Sequence, residues 1–120
     1  MTSQPRKRRL DVEDHGDIAV VTFIDNKIID EQNINAIGED LVRLVDELGR
    51  RKILLNFSKV EFLSSAALGK LIALNRKLQG VKGSLVLCGI SKEISEVFKI
   101  TRLDKLFKIK NTEQEALASF

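Results

Sequence analysis

Phe62-Leu63-Ser64-Ser65-Ala66-Ala67-Leu68-Gly69-Lys70-Leu71 decides the fold, because it reads as the end of a loop passing straight into a helix. Just upstream, Lys52-Ile53-Leu54-Leu55-Asn56-Phe57 is apolar without alternation, the pattern of a strand buried on both faces. Downstream, Leu68, Leu71, Ile72 and Leu78 recur on one side of a helix with Leu74 beside them, and Gly80 closes it. Ser64 or Ser65 therefore caps the helix, its oxygen accepting from a first-turn backbone N–H. Most serines placed there do only that. Here the neighbours are small as well, and a glycine such as Gly69 costs about 1 kcal/mol relative to alanine inside a helix. A helix start stripped of side chains lets another backbone approach. Ser64, Ser65, Ala66, Ala67, Gly69 and Lys70 are thus the candidate partner-binding residues.

A second apolar run, residues 84 to 89, follows the helix and makes a βαβ unit whose strands should run parallel with a right-handed crossover. Earlier in the chain, Leu10-Asp11-Val12-Glu13 alternates like an edge strand, and Ile18 to Ile24 is β-branched and apolar. The Gly16 turn between them predicts a hairpin, so the sheet is mixed. Asp25 to Asp30 reads as a connection. Ile34, Ile37, Leu41, Leu44, Val45 and Leu48 then form one helical stripe that ends at Gly49, with a solvated charged face opposite. Ser91 can cap a third helix with Ile94, Val97 and Phe98 inward, and Phe107 to Lys110 suggests a short last strand. Thr112-Glu113-Gln114-Glu115 has capping-box spacing and starts a final helix with Ala116, Leu117 and Phe120 inward. The expected fold is α/β, one domain over residues 10 to 120, with a mixed sheet of four to five strands and about four helices.

Composition narrows the function. The chain has 120 residues, enough for one core and too few for two, and is 43% hydrophobic and 31% charged. It holds no apolar run of about 18 residues, so no segment spans a bilayer, and its basic start lacks the hydrophobic segment of a signal peptide. A cytoplasmic location is expected. With Cys88 the only cysteine and His15 the only histidine, neither a disulfide within the chain nor a cysteine-based metal cluster is possible, and no metal or other cofactor is expected. The net charge of +3 owes much to Arg6, Lys7, Arg8 and Arg9, within a tail (residues 1 to 9) read as basic and disordered rather than nucleic-acid-binding. An enzyme would need a base near Ser65, and His15 lies far away in a predicted turn while Lys70 falls on the polar side of its helix.

The order strand, strand, helix, strand, helix, strand, helix, with Asn56-Phe57-Ser58-Lys59-Val60-Glu61-Phe62-Leu63-Ser64-Ser65-Ala66-Ala67-Leu68-Gly69 between the third strand and the second helix, resembles the STAS family, which includes the bacterial anti-sigma-factor antagonists. The resemblance covers nearly all of the chain from Leu10 onward. It implies a non-enzymatic regulatory module that binds an anti-sigma factor acting also as a serine kinase, and that is switched off by phosphorylation of the serine matching Ser65, with Ser64 second. Two positions depart from the family pattern: Ser64 stands where an aspartate usually precedes the serine, and Asn56 where an aspartate usually ends the strand. The alternative is a non-phosphorylated STAS scaffold, or a subunit of a larger signalling or transport complex. An antagonist should be a monomer or weak homodimer, whereas a scaffold should self-associate.

Overall fold

In a computed structural model, residues 10–120 are described; the basic tail lies outside them. Eleven elements follow in order: β1 (Leu10–His15), β2 (Ile18–Phe23), β3 (Lys27–Ile28), α1 (Glu31–Asp46), β4 (Lys52–Asn56), β5 (Phe62–Leu63), α2 (Ser65–Gly80), β6 (Ser84–Cys88), α3 (Lys92–Ile100), β7 (Lys108–Lys110) and α4 (Glu113–Ala118). Five strands form one sheet in the order β1-β2-β4-β6-β7. The hairpin β1–β2 is antiparallel and every other pairing in it is parallel, so the sheet is mixed as expected.

The central strands explain the unbroken apolar runs. Ile53, Leu55 and Phe57 enter one core with Val21, Phe23, Leu85 and Leu87. Leu54 points the other way, into a smaller core with Val20, Val86, Cys88 and Ala116. Successive side chains of a strand point to opposite faces, so a strand covered on both sides has no polar position to spare. The larger core is roofed by α1, α2 and α3 through Leu41, Leu71, Leu74, Ile94 and Phe98, and the smaller one by α4.

Two helical positions differ from the sequence reading. Leu48 is 63% exposed, because α1 stops at Asp46 and the chain turns away through Gly49 at φ +65°. Val97 is 38% exposed, because Ile94 and Phe98, four apart, define the inner face of α3 and Val97 falls about 100° off it.

The segment read as a plain connection holds a strand. β3 pairs in parallel with β5, Ile28 opposite Leu63, and the Ser64 N–H donates to the Ile28 carbonyl at 3.1 Å. Each of these strands leads directly into a helix, α1 after Asp30 and α2 after Ser64. The parallel register therefore brings the two helix starts side by side, and it holds the serine turn in place.

Candidate functional site

The capping question is settled by the turn itself. Ser64 has extended backbone (φ −81°, ψ 164°) and its side chain accepts from the Ala67 N–H at 3.3 Å, so Ser64 is the N-cap. Ser65 is the first residue of α2, exposed, and not the capping group. Replacing Ser64 by alanine should therefore cost about 1 kcal/mol, read as a lower urea midpoint, while Ser65→Ala should leave that midpoint unchanged. Ala66 and Gly69 are exposed beside Ser65. A Cβ built on Gly69 would meet nothing within 4 Å, so no packing among the described residues requires glycine there.

The other two candidates point elsewhere. Lys70 is exposed, but its aliphatic stem lies over Gly38 of α1, where an added Cβ would stand 2.8 Å from the Lys70 Cδ. Ala67 differs from the expectation: at 5% exposed it turns into the core, and its smallness serves the packing of α2 rather than a surface. The candidate surface therefore contracts to Ser64, Ser65, Ala66, Gly69 and the head of Lys70.

Asn56, at the end of β4, is tied into the same region. Its Oδ1 accepts from the Ser58 N–H at 2.8 Å and starts the loop, while its Nδ2 donates to Glu113 Oε1 at 3.0 Å. An aspartate there would keep the first bond and face a second carboxylate in place of the other. Gly89, at φ +69°, lies against the same group, where a Cβ would stand 3.0 Å from Asn56 Oδ1. Cys88 nearby is fully buried, and that burial, with the Glu113 carboxylate adding to it, pushes its thiol up to about 11. A thiol so protonated is a packing group rather than a nucleophile at neutral pH.

The STAS domain family model matches residues 9–116, from the start of the hairpin into α4. The chain belongs to the STAS family. Among relatives of this STAS domain, a candidate anti-sigma factor antagonist of Thermotoga neapolitana is 31% identical over 98 residues, covering 82% of this chain and 87% of that protein. BtrV of Bordetella bronchiseptica, also a candidate anti-sigma factor antagonist, is 29% identical over 93 residues, covering 78% and 79%. The crystal structure of an anti-sigma factor antagonist from Mycobacterium paratuberculosis superposes with a TM-score of 0.82 at 27% identity, covering 98% of this chain and 97% of that one.

Sequence reasoning missed two surface residues of this STAS domain. Phe62 is 54% exposed, because the period of two puts Leu63 inward and Phe62 outward, and the Lys27 ammonium lies 5.7 Å from its ring centre. Val97 shares a shallow groove with it, lined also by Leu63 and Ile94, directly before the serine turn. No periodicity in the sequence marked Phe62 as outward, because β5 is two residues long. Among the described residues, no group of three or more His, Cys, Asp or Glu is placed to hold a metal ion, and no helix is long and apolar enough to cross a membrane.

Proposed function

We propose that this STAS domain is an anti-sigma-factor antagonist of the cytoplasm that binds a regulatory protein of the anti-sigma class, one that is also a serine kinase, and that phosphorylation of Ser65 ends the complex. One observation carries the reading. Ser65 is an exposed hydroxyl at the first position of a helix whose cap is made by its neighbour, with Ala66 and Gly69 open beside it. A glycine that costs helix stability without relieving any contact among the described residues fits a place where another chain comes close. The naming of its relatives as antagonists supports the same class of partner.

The chemistry divides between the two proteins. The sequence has no glycine-rich loop of the GxxxxGK type, so the nucleotide belongs to the kinase. The Ser65 Oγ–P bond forms as the bond between the β,γ-bridging oxygen and the γ-phosphorus of ATP breaks; the hydroxyl proton leaves to a base of the kinase and ADP departs. The product carries about 1.5 to 2 negative charges at a helix N-terminus, where α2 has no acid in its first turn to oppose them. The domain tolerates the phosphate, and the apposed partner surface does not.

Intact-mass and phosphosite analysis of the protein from its own cells tests this against Ser64→Ala and Ser65→Ala. One phosphate that disappears only with Ser65→Ala is the expected result. A protein without phosphate under every growth condition would transfer the reading to a constitutive scaffold, for which the neutral Ser64 and Asn56 already speak.

A further inference from the structure

We infer that the end of the sheet opposite Ser65 binds a compact polyanion carrying two or more phosphates. An open cleft of about 450 Å³ lies where α1 and α2 finish and β4 and β6 begin, and four basic residues border it: Arg50, Arg51, Lys52 and Lys82. Among the described residues of its wall, Asp17 is the one acid. Because α2 is 16 residues long, this cleft is about 24 Å from Ser65 along the helix axis, and the inference does not rest on the serine switch.

Cations after a helix commonly balance its negative C-terminal dipole. Three features go beyond that role. Arg50 gives Nη1 to Asp14 at 2.9 Å, yet its Nη2 is buried with no acceptor. A buried donor is costly when unpaired, so the wall holds positive charge that its own acids do not fully satisfy.

Lys82 holds a left-handed backbone (φ +59°) at the turn after α2, a position where glycine is preferred. After α1 the chain does use glycine, Gly49 at φ +65°. Arg102 adopts the same conformation after α3 away from any such cleft, so the conformation marks the site only together with the cleft and Arg50. Third, the Arg51 and Lys82 side chains are exposed and make no ion pair or hydrogen bond among the described residues, so both heads are available. The remaining cation, Lys52, is paired with Asp17 at 2.8 Å at the exposed mouth.

The shape favours a small molecule over a polymer. The four basic residues border one concavity of a size usual for small-ligand sites. None of the six phenylalanines lines it, which removes the stacking platform of a single-stranded nucleic acid. The Ser84 hydroxyl adds a donor, and Leu48 offers an apolar wall to whatever body bears the phosphates.

Titration calorimetry of the full chain with sodium pyrophosphate at low salt tests the site, with ADP in a parallel arm. Saturable 1:1 binding is expected, weakened at least tenfold in the double variant Arg51→Ser, Lys82→Gly. Lys82→Gly alone should raise the melting temperature while it weakens binding, a combination that a purely structural lysine would not give. ADP binding more tightly than pyrophosphate would identify the ligand as a nucleotide held partly on Leu48, and equal affinity would identify the oligophosphate alone. No saturable heat with millimolar pyrophosphate, full affinity in the double variant, or equal binding of an oligoglutamate peptide would each overturn the inference.

Discussion

Ser65→Asp should leave the stability of the domain nearly unchanged and weaken binding of the anti-sigma-type partner proposed for it by about tenfold or more, a change of about 1.4 kcal/mol. The two halves of this expectation come from the same geometry. Ser65 is the exposed first residue of α2 and Ser64 keeps the cap, so the substitution removes no hydrogen bond that holds the turn. An acid in the first turn is favoured by about 0.3 to 1 kcal/mol, which would raise the melting temperature by at most about 4 °C. On the proposed mode of binding, a partner over Ala66 and Gly69 would instead have to strip water from a carboxylate or leave it unpaired. Calorimetric titration of the partner with wild type, Ser65→Ala and Ser65→Asp separates charge from side-chain loss. Undiminished affinity of the aspartate variant would end the switch mechanism.

Phe57→Ala should destabilise the domain by about 3 to 5 kcal/mol, a large share of the total for a domain of this size. Phe57 is fully buried, its ring centre 4.8 Å from that of Phe23. Its backbone fixes the loop from both sides, the N–H donating to the Cys88 carbonyl and the carbonyl accepting from the Val60 N–H. With Ile28, Leu63, Ala67 and Leu71 the ring lines a void of only about 10 Å³, so truncation opens a cavity beneath the serine turn. Urea unfolding would show a lower midpoint at unchanged slope. A loss below about 1 kcal/mol would mean that the turn is supported from elsewhere.

Most of the secondary structure was legible because its causes act over a few residues. The unbroken apolar runs around Leu54 and Val86 required strands covered on both faces, and the sheet has helices on both. The capping-box spacing at Thr112 returned as a Thr112 hydroxyl accepting from the Glu115 N–H at 3.1 Å. The pair β3 and β5 was not legible, since two residues carry no periodicity and Lys27-Ile28 becomes a strand only when Phe62-Leu63 lies beside it. Leu48 and Val97 were read inward because stripe counting does not see where a helix stops or which pair of residues sets its inner face.

The candidate site divides along the same line. Sequence alone determined that a serine-rich, small-residue turn opens the second helix, that one serine caps it, and that Ser64 and Asn56 put neutral groups at the turn and at the end of the strand before it. Those are statements about neighbours in the chain, where backbone geometry and side-chain size act directly. Only the tertiary structure decided which serine is free, that Ala67 faces inward, that Asn56 binds Glu113 from 57 residues away, and that Arg50 and Lys82 share one cleft. Each of these depends on the parallel register of strands joined by helices, which sets residues distant in sequence at the same end of the sheet.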